Sequence, residues 1–235
     1  MYLDGFPELA YARLIRSRAR GVPIRDSGRA CAIAWMADGS VVPTDTIVRF
    51  DVAEGEKAPR RLADALQQTN ARAIRFFGGD DVVRNAIRGL ELEVNLDGMA
   101  FMFRHGPALS HNVTFREPGM RDTLAVGELV REQAMAFGAP KVQVAEINNE
   151  AVGVGITDEI DKHWVELRVA VFPAFRGRGF GAAIAGTLAD QLEAKEGRLI
   201  CAGLHQMDER GRITLERAGF RLVDYYFVAE REMVR

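Results

Sequence analysis

The residues with the clearest chemical content lie between Leu167 and Ile184. An apolar run, Leu167-Arg168-Val169-Ala170-Val171-Phe172, passes through Pro173 into Arg176-Gly177-Arg178-Gly179-Phe180-Gly181, and a helical pattern starts there at once. Glycines lack the Cβ that would keep consecutive backbone N–H groups from converging on one point. The first turn of a helix has N–H donors without an internal partner, and its dipole favours negative charge. A strand, a glycine corner and a helix start therefore form a seat for a phosphate or diphosphate, and Arg176 and Arg178 add positive charge. The same residues also suit a turn that only packs a strand against a helix. The spacing is one residue short of the dinucleotide fingerprint, and the Gly-Lys-Ser/Thr of a P-loop is absent.

Candidates for proton transfer are fewer. Along an extended strand Glu166, Arg168 and Ala170 share one face, and Leu167, Val169 and Val171 the other. Glu166 is then either a general base or a carboxylate paired with arginine or water. His205 follows the next strand and is a candidate proton relay, whereas His163, beside Asp161 and Lys162, reads as part of an exposed turn. Cys31 and Cys201 lie in apolar runs and read as buried thiols rather than a disulfide framework or a zinc site. No metal is expected.

The elements that must position these residues alternate between helix and strand periodicity, which implies a mixed α/β protein. Helices are expected over Pro7–Arg20, from Pro59 to Gln68, Asp80–Arg88, Arg121–Phe137, from Gly179 to Gly197, and Glu209–Ala218. Strands are expected over Arg29–Met36, from Ser40 after a turn at Asp38-Gly39, and over Thr46–Val52, Arg72–Phe77, Asn112–Arg116, Lys141–Ile147, Ala151–Thr157, Trp164–Phe172 and Arg198–Ala202. Two hairpins complete the reading, Leu92–Asn95 with Met99–Arg104 around Asp97-Gly98, and Phe220–Val223 with Tyr225–Ala229. The aperiodic stretch His105–His111 reads as a linker, giving domains 1–108 and 109–235.

The chain of 235 residues is long enough for two such domains. Its 31 basic and 33 acidic residues leave a net charge of −2, which argues against nucleic-acid binding through phosphates. The N-terminus lacks a signal-peptide pattern, and no apolar stretch approaches the roughly 20 residues of a membrane span. A cytoplasmic protein without membrane partners is expected.

Val171-Phe172-Pro173 followed by Arg176-Gly177-Arg178-Gly179-Phe180-Gly181 resembles the GNAT superfamily of N-acetyltransferases, whose signature is Gln/Arg-x-x-Gly-x-Gly/Ala after a strand ending in Val-x-Pro. The order of elements from Asn112 to Glu230 is similar too, and Ala218-Gly219-Phe220 resembles the family's closing Leu-Gly-Phe. The resemblance implies an α/β (α+β) fold with mixed, mostly antiparallel sheets flanked by helices. It implies acetyl-CoA as cosubstrate, bound in a V-shaped opening between the strands Trp164–Phe172 and Arg198–Ala202. Val169, Ala170 and Val171 would line the pantetheine arm, and Arg176, Gly177, Arg178, Gly179, Phe180, Gly181 and Ala182 the diphosphate. Asp208 stands where the family carries an Asn near the cofactor, and Glu166 is the candidate base. The implied activity is direct acetyl transfer to a small amine in a ternary complex. The alternative is a non-catalytic acyl-CoA sensor or partner-binding module, because the position of the family's Tyr general acid is Leu215 here. A homodimer is admitted.

The two halves also resemble each other. Leu62-Ala63-Asp64-Ala65-Leu66 matches Leu188-Ala189-Asp190-Gln191-Leu192 at an offset of 126, which Ile74/Ile200 and Phe101/Phe227 keep. Val52 lies ten positions before Leu62, whereas Val171 lies seventeen before Leu188, so the first half lacks the residues of the glycine loop. Glu54-Gly55-Glu56 takes its place, and its carboxylates would repel a diphosphate. The first half is accordingly expected to be a degenerate GNAT-like copy that binds no CoA.

Overall fold

The computed structural model describes residues 19–37, 44–53, 55–105, 111–133, 140–160, 162–205 and 208–231. The expected helix as far as residue 18, the turn at Asp38-Gly39, the strand start at Ser40, Glu54, residues 106–110 of the linker, Phe137, Asp161 and the side chain of His205 lie outside the described residues. The described chain falls into two compact units, residues 19–98 with 224–231, and residues 99–223.

Among the described residues the first unit begins with a strand, so only Arg20, the last residue of the expected helix, is reassigned. β1 (Arg20–Asp26) is antiparallel to β2 (Arg29–Met36). Ser27 and Gly28, at φ 50° and 86°, form the tight turn between them, of the kind that suits the twist of a hairpin. Pro23 is tolerated because β1 is the edge of the sheet. β3 (Thr46–Val52) pairs with β2, and α1 (Ala58–Gln68) follows with Pro59 in its first turn. β4 (Ala73–Phe77) leads to α2 (Asp81–Ile87), capped by the Asp80 side chain, which accepts from the Val83 N–H. The sheet of this unit runs β1-β2-β3-β4-β11-β5, and Ile24, Ile47, Leu62, Leu66, Ile74 and Phe76 fill its core.

β5 (Leu92–Phe103) and β11 (Phe220–Arg231) are single strands of twelve residues. Both expected hairpins are therefore corrected. The Asp97 carboxylate forms an ion pair with Arg75 and is largely buried, which keeps Asp97-Gly98 in the strand. Asp224 accepts from the N–H groups of Tyr225 at 2.7 Å and Gly79 at 3.1 Å, so the chain runs straight through that position too. Where a division at residues 108 and 109 was expected, packing divides the chain within these strands: β5 leaves the first unit after Gly98, and β11 joins it after Val223.

The second unit contains β6 (Val113–Arg116), a short 3-10 turn (Met120–Asp122), α3 (Thr123–Gln133), β7 (Lys141–Ile147), β8 (Glu150–Glu159), β9 (Trp164–Val171), α4 (Phe180–Glu196), β10 (Leu199–His205) and α5 (Glu209–Arg217). Its sheet runs β11-β5-β10-β9-β8-β7-β6, antiparallel from β6 to β9 and parallel between β9 and β10. This is the mixed, mostly antiparallel architecture expected. Among the described residues no helix is long and apolar enough to cross a membrane, and both cysteines are buried thiols.

Candidate active site

The centre of the second unit is a parting of two strands. β9 and β10 pair over Trp164–Leu199, Val165–Ile200 and Glu166–Cys201, and among the described residues the pairing ends there. β9 continues beside β8 to Val171, whereas β10 continues to His205, so a V opens with Glu166 and Cys201 at its vertex.

Hydrogen-bond parity decides which backbone groups face the opening. The Phe172 N–H donates to the Val152 carbonyl, which fixes the even-numbered residues of β9 as those bonded to β8. The amides and carbonyls of Leu167, Val169 and Val171 therefore point toward the opening. Ala170 differs from its neighbours, because its backbone is directed to β8. The Val171 carbonyl accepts from Arg176 Nε at 3.0 Å, which folds that side chain back over the strand end.

The β9 register with β8 contains no bulge, so side chains alternate regularly. Leu167 and Val169 pack with Ala182, Ala185 and Leu188 of α4 on one face. Ala170 packs with Val126 and Leu129 of α3 on the other, the face that Glu166 and Arg168 share with it. Gly155 on β8 makes the close approach of α4 possible, since a Cβ there would lie 2.5 Å from a Leu188 methyl.

At the mouth of the V, Pro173–Phe175 forms a single 3-10 turn, and Gly177 and Gly179 adopt φ of 80° and 82°, values that favour glycine strongly. Gly179 caps α4, and the first intrahelical bond of that turn runs from Ala183 N–H to the Gly179 carbonyl. The N–H groups of Phe180, Gly181 and Ala182 precede it and have no acceptor inside the helix. Among the described residues the Cβ position of Gly177 meets nothing within 4 Å, and that of Gly179 meets only His111 Nε2, at 4.0 Å. Arg178 lies over the Phe175 ring at 5.7 Å. Three amides at a helix start, two arginines and an open corner fit a diphosphate.

His111 is a neighbour that sequence reasoning assigned to the linker. Its ring stands edge-on to Phe180, with centroids 4.9 Å apart. Its nearness to the loop comes from the β6–β7–β8–β9 order, which no local pattern reports.

Glu166 is 3% exposed and sits directly across from Asp158 on β8. Arg168 reaches the Asp158 carboxylate at 3.6 Å, so three ionisable side chains gather on the α3 face near the vertex. Burial pushes the Asp158 carboxyl above its ordinary range, against the opposing pull of Arg168. Asp208 is placed differently: its carboxylate accepts from the Gly211 N–H at 2.8 Å and so caps α5. Leu215 is buried among Leu188, Ala218 and Phe220.

Residues 111–220 match the model of the acetyltransferase (GNAT) family. The family uses acetyl-CoA as its acetyl donor. Among solved structures, an acetyltransferase of the GNAT family from Colwellia psychrerythraea is similar with a TM-score of 0.75 at 9% identity, over 97% of this chain and 91% of that one. A GCN5-related N-acetyltransferase from Kribbella flavida has a TM-score of 0.59 at 11% identity, over 96% and 95%. A tandem GNAT protein from the clavulanic acid biosynthesis pathway has 0.58 at 12% identity, over 90% and 82%. At such identities the likeness is one of fold. No curated protein matches the chain in sequence.

Proposed function

We propose that the second unit acetylates the nitrogen of a small amine by direct transfer in a ternary complex. The observation that carries this reading is the parting of β9 from β10 beside an open glycine corner, with amides directed into the gap. The N–H groups of Phe180, Gly181 and Ala182 would hold the diphosphate of acetyl-CoA, and the Val169 backbone would pair with its pantetheine arm as an added strand does. Bound acetyl-CoA supplies a thioester carbonyl and a thiolate leaving group. An amine is mostly protonated near neutral pH, so its proton must be removed before it attacks. Glu166, at the vertex and on the α3 face, is the proposed acceptor of that proton, with Asp158 and Arg168 as its neighbours.

Calorimetric titration of the whole protein with acetyl-CoA, followed by thiol release against pooled amines, amino acids and aminoglycosides, tests both steps. Saturable binding with turnover of at least one amine is expected, and absence of binding defeats the reading. One observation favours a second reading, an acyl-CoA sensor: the buried Leu215 supplies no hydroxyl for protonating the departing thiolate. Binding without turnover across the panel would select the sensor.

A further inference from the structure

The first unit contains a cavity of about 540 Å³ between the end of β4, α2, the start of β5 and β11. That volume lies within the range of roughly 300–1,000 Å³ typical of small-molecule sites. Its apolar wall includes Phe76 and Phe227, whose rings stack at 5.7 Å, with Tyr225 a further 6.3 Å from Phe227. Three aromatic rings in succession offer π faces to an apolar body or to a cation.

The polar side of the cavity is defined by Asp224, which is 9% exposed. One carboxylate oxygen accepts from the Tyr225 N–H and the other from the Gly79 N–H. A carboxylate has about four lone-pair sites, so acceptor capacity remains after these two bonds. Gly78 leaves room for this arrangement, because a Cβ there would stand 2.8 Å from Asp224 Oδ1 and 3.1 Å from a Phe227 ring carbon. The start of α2 contributes no anion seat, since Asp80 occupies its Val83 N–H.

The charges of the wall add up in one direction. Among the described lining residues Arg84 is the cation, and it donates to the Asp81 carboxylate and to the Gly78 carbonyl at 3.1 Å. Asp81 thus balances Arg84, and Asp224 leaves the described wall negative. A phosphate or carboxylate ligand would be repelled by that charge, whereas an ammonium gains both the carboxylate and the ring faces. We propose that this cavity is a binding site for a small protonated amine with an aryl or alkyl body, belonging to the first unit and separate from the cofactor corner of the second.

Phenethylammonium, with 2-phenylethanol as its neutral counterpart, is the probe pair for calorimetry on the full-length protein. Phenethylammonium should saturate below about 10 mM and bind at least about tenfold more tightly than the alcohol. Asp224→Asn should erase that preference. Val94, 46% exposed in the cavity wall, permits a second variant: Val94→Trp should fill the space, abolish amine binding and leave the melting temperature and acetyl-CoA titration unchanged. If Asp224→Asn fails to fold, Val94→Trp decides. Equal binding of amine and alcohol, undiminished amine binding by Val94→Trp, or no saturation by wild type overturns the proposal. None of these outcomes depends on whether acetyl-CoA binds.

Discussion

The two units build the same kind of corner and finish it in opposite ways. In the second, β9 and β10 pair briefly in parallel, part, and leave α4 to begin with a glycine cap and three outward amides. In the first, β3 and β4 also pair in parallel over only Thr46–Ala73 and Ile47–Ile74, and α1 follows β3 as α4 follows β9. There, however, Pro59 removes one donor from the first turn. Arg61, 7% exposed, lies one turn inside α1 and is bound by three carboxylates: Glu56 at 2.7 Å, Asp26 at 2.9 Å and Asp64 at 2.9 Å. One corner leaves its helix-start amides without an intrahelical acceptor, and the other satisfies a buried cation with its own acids. The difference lies in a few loop residues rather than in the sheet.

The comparison breaks most completely with Gly179→Glu. The residue must hold φ near 82° and its carboxylate would stand where the anion belongs, so acetyl-CoA affinity should fall by at least about 100-fold in calorimetry. Glu166→Gln separates chemistry from binding: turnover should fall roughly 100-fold and its dependence on pH flatten, while acetyl-CoA affinity stays within about twofold. Arg61→Met tests the other corner. Three carboxylates lose their shared partner, so the melting temperature should drop by about 5 °C or more, with acetyl-CoA affinity unchanged.

The smallest effect sharpens the contrast by pH. The second unit has its own arginine cluster at the entry to α3, where Arg116 holds Asp122 and Glu146. The Arg116 guanidinium, helped by the Gly119 N–H, lowers the Asp122 carboxyl from 3.8 to about 2. A carboxyl depressed by folding stabilises the native state above its unfolded value and loses that contribution as pH falls through the folded one. The difference in melting temperature between wild type and Asp122→Asn should therefore be full near pH 6 and close as pH approaches about 2.

Local chemistry was the most legible part of the sequence. The glycine spacing located the cap of α4, Asp80 and Asp208 lie at helix starts, and the alternation about Glu166 is the one the strand adopts. Tertiary contacts were illegible where they overrode local signals. Asp97-Gly98 reads as a turn, yet Arg75, distant in sequence, holds Asp97 in a strand. β1 was missed because Arg20–Asp26 is polar on most positions and carries Pro23, as an edge strand tolerates. Glu54 and Glu56 are the basis for expecting that the first half binds no CoA, but the buried Arg61 that Glu56 serves carries no signal beyond an ordinary helical arginine.

β11 has a consequence for how the chain reaches its native state. Tyr226–Glu230 supply the neighbour of β4, a strand made about 150 residues earlier. A nascent chain whose first half has emerged from the ribosome therefore carries a sheet with one bare margin, and completion of that half waits for β11. Protease protection of β4 in stalled nascent chains should appear only once residue 230 has cleared the exit tunnel.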